Sequence, residues 1–325
     1  MLNPGGRDRE QAFPQGAGIP DSTVHPPVNY HAYAACTGGT FYHDPARIPA
    51  TQREVLLILR RDLKHCLNAL QQLKTTDKIV AVSLKESGLH QVATLFENAE
   101  NLRLFREICA AADGCIASTP ELVGIYEAAG GKQVRYIPTP YPVESEPWKF
   151  ALPLAERAGV FIGTREWETP SRNHAAALLL AGSLGAPVTV VNDDGRSGRK
   201  RIESAGLGSA RIIEGRTPYP EYLKLVATHR IVLQLDRSAV PGQVAGDALL
   251  CGLPCVGGDG AIDRIAFPYC CGLGRTLEQI REIASCLLRD DEACAGAASR
   301  AANIALDQLG FAAVSKELAR YFAGV

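Results

Sequence analysis

In RIVLQLDRSAVPGQVAGDALLCGLPCVGGDGAIDR an apolar run ends at Asp236, and a Pro-Gly loop leads into a helical pattern. The amides of Gly242, Gln243 and Val244 open that helix. Backbone N–H groups there have no partner within the helix, and the dipole favours an anion such as phosphate. Asp247 follows one turn later, on the face toward the strand ends, where a carboxylate accepts hydrogen bonds from ribose hydroxyls. On spacing alone the segment is equally one more βα unit with glycines at its tight turns. A second polar set, Lys85, Glu86 and His90 in SLKESGLHQ, also follows an apolar run. Glu86 or His90 there suits general-base work on a hydroxyl, although a His after a glycine equally suits a plain helix start. Arg165 and Arg172 follow the run GVFIGT. An Arg near a helix N-terminus opposes the dipole, which favours anion binding over idle surface. Thr37-Gly38-Gly39-Thr40 and Gly215-Arg216-Thr217 are tight turns that carry no chemistry by themselves.

The elements that would position these residues alternate. Residues 1–30 are rich in Gly, Pro, Gln and Asp without a period and predict a flexible N-terminal arm. YHAYAACTGGT predicts an apolar first strand ending at the Gly-Gly turn, and REVLLILRRDLKHCLNALQQLK a long amphipathic helix. KIVAVSL, GCIAST and VRYI read as strands, with LRLFREICAAADG and PELVGIYEAAGG as helices between them; Thr119 is placed to cap the latter. The proline-rich PTPYPVESEPW is a linker, with a hinge near 138–150. After it, GVFIGT, PVTVVND, ARIIEG, RIVLQLD and PCVGGD read as strands separated by helices, and the chain beyond is helical almost throughout. Strands alternating with helices mean parallel sheets with right-handed crossovers. The expectation is an α/β protein with two Rossmann-like domains, over 31–150 and 151–325, both doubly wound and facing a cleft. The amphipathic stretch around Phe311–Phe322 should pack back on the first domain.

Composition excludes several classes. With 325 residues, 46% hydrophobic and 21% charged, the chain buries real cores. A net charge of −1 argues against general nucleic-acid binding. The ten cysteines are scattered through apolar segments with no Cys-x-x-Cys, which fits buried reduced thiols rather than disulfides or a metal site. The N-terminus has no apolar leader, and the uncharged run His174–Asn192 is broken by Gly182, Gly185 and Pro187, so neither secretion nor a membrane span is expected and a cytoplasmic setting is. Asn192-Asp193-Asp194-Gly195 reads as turn and cap chemistry rather than an Asp-x-Asp metal site. Dinucleotide, P-loop and Gly-x-Ser-x-Gly fingerprints are missing.

Most of residues 31–275 resemble the GT-B glycosyltransferases, in particular the retaining family 4 type. That family's pattern is a Glu, a Gly-rich turn, a second Glu and a helix end like Cys251-Gly252-Leu253-Pro254. Asp247 falls on the second acidic position, which in the family holds the donor ribose. The first, eight residues upstream, is Ala239, so the carboxylate that meets the donor sugar is missing. The resemblance places Gly242 and Gln243 on the donor phosphate and sugar, with the Val244 amide beside them at the helix start, and Arg165 and Arg172 on the diphosphate. It places Gly215, Arg216 and Thr217 around the nucleobase, and Gly38 and Gly39 in the double-glycine loop against the transferred sugar. The resemblance makes 31–150 the acceptor-side domain, where Lys85, Glu86 and His90 fall, and 151–325 the nucleotide-sugar-binding domain. It implies glycosyl transfer from a UDP- or GDP-type sugar to an acceptor, with retention of configuration and without a further cofactor or metal. A GT-B-like nucleotide-sugar epimerase, or a non-catalytic sugar-nucleotide or glycan-binding module, are the alternatives, the latter motivated by Ala239.

Overall fold

The computed structural model describes residues 1–325 apart from Arg61, Glu86, Ser87, Arg165, Glu166 and Arg216. Two compact units divide the chain: residues 1–142 with 309–325, and residues 143–308. The last seventeen residues thus leave the expected 151–325 domain.

In the first unit, β1 (Gln11–Ala12) pairs antiparallel with β2 (Thr40–Phe41), with α1 (His31–Cys36) between them. Then follow β3 (Glu54–Leu59), α2 (Leu63–Lys74), β4 (Ile79–Leu84), α3 (Leu89–Phe96), α4 (Ala99–Ala111), β5 (Gly114–Ala117), α5 (Glu121–Ala128) and β6 (Val134–Tyr136). The main sheet is parallel with order β3-β4-β5-β6. Two expectations change here. EVLLIL is strand, not helix: six consecutive residues, apolar after Glu54, suit a strand covered on both faces, and helical spacing begins only after Asp62, whose carboxylate caps α2 through the His65 amide at 3.0 Å. Val55, Leu57 and Leu59 enter the core containing Leu67, Leu70 and Phe105, whereas Leu56 and Ile58 face Tyr33, Leu318 and Tyr321. HAYAAC is helix rather than strand; a six-residue apolar run does not decide between the two.

The first thirty residues are anchored at several buried points, although 21–24 are exposed. Leu2 is fully buried and inserts beside β3, its amide donating to the Leu56 carbonyl at 2.9 Å and its carbonyl accepting from Ile58 at 2.8 Å. Burial of Leu2, Phe13 and Val28 offsets the ordering cost that their Gly/Pro-rich surroundings suggested was too high.

The second unit holds β7 (Val160–Ile162), α6 (His174–Ser183), β8 (Val188–Asn192), α7 (Gly195–Ser204), β9 (Arg211–Glu214), α8 (Tyr219–Ala227), β10 (Ile231–Leu233), α9 (Gln243–Leu250) and β11 (Cys255–Val256). Three helices follow: α10 (Ala261–Ala266), α11 (Leu277–Arg289) and α12 (Asp291–Gln308). All strands run parallel in the order β11-β10-β7-β8-β9. Strand order therefore reverses at β7, and the gap between β7 and β10 is the topological switch point, outside whose carboxyl ends ligands bind in such sheets.

The final helix, α13 (Phe311–Ala323), returns to the first unit. Phe311, Val314, Leu318 and Tyr321 are buried in the core that includes α1 residues. Among the described residues no helix is long and apolar enough to cross a membrane.

Candidate functional site

The loops that leave β7 and β10 meet at the switch point of the second unit. After β10 the chain passes Gln234, Leu235 and Asp236 and turns through Ala239 at φ 48° and Gly242 at φ 102° into α9. A left-handed non-glycine residue is uncommon, and such strain concentrates at functional loops. The turn leaves Gln243, the first residue of α9, exposed. Gln243 and Val244 lie in the first turn of α9, the part of a helix whose amides meet anions.

After β7, the 3₁₀ turn Pro170–Arg172 closes against the same loop. The Arg172 guanidinium pairs with the Asp236 carboxylate; their side chains are 17% and 2% exposed. The other Asp236 oxygen accepts from the Ser238 amide at 2.7 Å, the Ser171 and Ser238 hydroxyls are 2.7 Å apart, and the Arg237 amide donates to the Ser171 carbonyl at 2.7 Å. A guanidinium held this way is fixed in direction before any ligand arrives.

Asp247 lies on α9 and is 2% exposed, its carboxylate accepting a 2.5 Å hydrogen bond from the Tyr219 hydroxyl at the start of α8. Gly215, at φ 79°, and Thr217 occupy the turn between β9 and α8, just ahead of Tyr219. Arg165 and Arg216 lie outside the described residues.

Sequence reasoning missed a carboxylate under the phosphate-type loop. Asp263, in the first turn of α10, is 1% exposed and accepts from the Gln234 amide nitrogen at 2.8 Å. Burial, then the nearby Asp236 and Asp259 charges, raise its pKa to about 7, against the lowering effect of Gln234. Its carboxylate fills the space beside Gly242 and Gly260: a β-carbon on Gly260 would lie 2.8 Å from Asp263 Oδ2. The half-buried Asp259 accepts from the Ala239 amide at 3.3 Å, and burial pushes its pKa up as well. The Gly257-Gly258-Asp259-Gly260 run was legible only as a tight turn, so the Asp263 contact had no local signal.

Four more polar atoms went unread. Thr164 Oγ1, Trp167 Nε1 and both ring nitrogens of His174 are buried around the β7–α6 connection and have no hydrogen-bond partner among the described residues. The Trp167 and His174 rings stand 3.8 Å apart, and burial, followed by the Arg201 charge, lowers the His174 pKa to about 4. Buried polar atoms left this way call for an ordered water or a ligand.

In the first unit Lys85 directly follows β4 and its ammonium lies 4.4 Å from the Tyr30 ring centroid; His90 is the second residue of α3; Glu86 lies outside the described residues. Gly38 and Gly39 stand elsewhere. They close α1, with Gly38 at φ 63°, in a cavity shared with Gln52, Glu54 and Val55 at the amino end of β3. That is the edge of the sheet opposite the one where ligands bind. The cause is local: HAYAAC is a helix, so the Gly-Gly pair ends a helix rather than a strand. Thr119 does not cap α5 with its side chain, which is buried without a hydrogen-bond partner among the described residues; its carbonyl accepts from the Leu122 amide instead. Asn192–Gly195 is turn and cap chemistry: the Asn192 amide nitrogen donates to the Gly195 carbonyl at 2.9 Å and to Glu214 at 3.0 Å.

The sequence matches no family model and no curated protein. The fold does match solved structures. The Anabaena protein HepE, solved with UDP, aligns at a TM-score of 0.65 over 83% of this chain and 79% of that one, at 16% identity. Sucrose-phosphate synthase from Thermosynechococcus elongatus aligns at 0.64 over 84% and 73%, at 14% identity. Trehalose-6-phosphate synthase, studied for glycosyl transfer with retention, aligns at 0.64 over 84% and 74%, at 9% identity. The fold of this chain is GT-B, the fold of these glycosyltransferases.

Proposed function

We propose that this chain is a glycosyltransferase that moves a sugar from a nucleoside diphosphate donor, of UDP or GDP type, to an acceptor, with retention of configuration. The observation that carries the reading is the construction of the switch point: a strained loop leads into the exposed first residue of α9, and the same loop holds the Arg172 guanidinium through Asp236. A leaving nucleoside diphosphate gains charge as the glycosidic bond breaks, and preoriented amides and a fixed guanidinium stabilise that charge. Asp247, positioned by Tyr219, takes the ribose hydroxyls, and Gly215 and Thr217 lie beside the base. The UDP-bound neighbour and the neighbour studied for retention support the donor class and the stereochemistry. Lys85 and His90 serve the acceptor; Gly38 and Gly39 drop out. Free thiols throughout fit a reducing, cytoplasmic setting.

The test is a panel of sugar nucleotides followed by proton NMR. Transfer or slow hydrolysis with an α product from an α donor is the expected result. Interconversion of donors points to the epimerase reading instead, a β product overturns retention, and no binding at millimolar donor overturns the assignment. In calorimetry Asp247→Ala should weaken UDP or GDP binding by about tenfold to a hundredfold, the cost of a charge-assisted hydrogen bond.

A further inference from the structure

We propose that Asp8, His25 and His31 form a binding site for one divalent transition-metal ion of the zinc type, fastening the N-terminal segment onto α1. The three side chains come from separate stretches, and one ligand atom from each lies within 4.8 Å of the others. His25 Nε2 stands 3.6 Å from Asp8 Oδ1, and the two imidazole rings stack at 3.8 Å. Ligands around tetrahedral zinc lie about 3.4 Å apart, so the ligand atoms close in by roughly an ångström while the stacked His25 ring turns to bring its in-plane lone pair onto the same ion as that of His31.

A second observation points to a ligand. His31 is 1% exposed, and its Nε2 has no hydrogen-bond partner among the described residues. Buried imidazole nitrogens are normally satisfied, and a metal ion satisfies one through its lone pair. The surroundings provide outer support of the kind that orients ligands. The Tyr30 hydroxyl donates to Asp8 Oδ2, leaving Oδ1 toward His25, and Arg60 reaches the same Oδ2 at 4.0 Å. Gln11 grips the His25 backbone on both sides, accepting from its amide at 3.0 Å and donating to its carbonyl at 3.3 Å. His31 is fixed by α1 and by Phe41, whose ring centroid is 4.4 Å away. Two imidazoles with one carboxylate select zinc-like ions over magnesium or calcium, and the Arg60 and Lys85 charges nearby moderate the affinity.

The experiment titrates the metal-stripped full chain with zinc chloride and, separately, cobalt chloride. One ion should bind per chain, with cobalt giving tetrahedral d–d absorption and no thiolate charge-transfer band. His31→Gln should lower zinc affinity by about a hundredfold, and Tyr30→Phe, which loosens only the outer support, by about tenfold. Circular dichroism in EDTA checks folding; if His31→Gln is unfolded, Asp8→Asn, at a half-buried position, is read in its place. No zinc binding below millimolar concentration, unchanged affinity in the folded variants, or a thiolate charge-transfer band placing the ion on cysteine would each overturn the proposal. The outcome is independent of donor binding, which the second unit carries.

Discussion

Asp263 shows how burial decides the chemistry of a single side chain. Its folded pKa, about 7, lies above the ordinary carboxylate value because burial disfavours the charge. Between the unfolded and folded pKa values the native state holds a proton that the unfolded chain has released, so stability falls as pH rises from about 4 to 7 and levels off above. Each pKa unit is worth about 1.4 kcal/mol, which bounds this loss at about 4 kcal/mol. Asp263→Asn keeps an acceptor for Gln234 and abolishes the titration. Urea denaturation at pH 5 and pH 8 should show the variant gaining on the wild type at pH 8; equal differences at both pH values would remove the buried carboxyl from the account. Arg172 poses the opposite case. Removing it as Arg172→Ala leaves Asp236 charged, buried and unpaired, a loss of about 3–5 kcal/mol. Combining it with Asp236→Asn should restore most of the stability but not the nucleotide affinity, separating the packing role of the guanidinium from its ligand role.

Elements were legible where a strong pattern stood alone. The helix α9 was readable from a strand, a Pro-Gly loop and a Cys-Gly-Leu-Pro stop, and α11 and α12 from their length. Legibility failed where an apolar run was short or doubly buried. EVLLIL and HAYAAC exchanged strand and helix because a short, mostly apolar run suits either, and sheet pairing at β3, with Leu2 on one side and β4 on the other, is a tertiary fact. The candidate site divides the same way. Asp247 and Gly242 were visible as a motif, whereas Tyr219, Asp259 and Asp263 come from other loops and meet it only in the fold. Gly242 tests the element as a unit. At φ 102° an L residue is strained, and a β-carbon would stand 3.2 Å from both Asp263 Oδ2 and Ile262 Cβ. Gly242→Ala should keep the sheet, as read by circular dichroism, and weaken nucleotide binding at least about tenfold through a tilted α9 start. Binding at the wild-type level would show that the amides of this turn do not seat the phosphates.

At the scale of the whole molecule the chain is interleaved, since its last helix completes the core of the unit it left at residue 142. Leu318 carries this return: it is 3% exposed, in the core formed with Tyr33, Leu56 and Ile58. Truncating it should cost about 2–5 kcal/mol, a transfer loss plus a cavity. Because each unit has its own sheet and core, the cost should appear where the side chain packs rather than along the sequence. In hydrogen exchange read by mass spectrometry, Leu318→Ala should expose peptides of α1 and β3–β5, more than 175 residues away in sequence. Peptides of α11 and α12, close to it in sequence, should keep their wild-type protection. UDP or GDP should give the complementary map, protecting the Asp236–Asp263 segment and the start of α8 in wild type and variant alike. Loss of protection spreading evenly through β7–β11 in Leu318→Ala would mean that the two cores fold as one, and that the final helix stabilises the second unit as much as the unit it packs in.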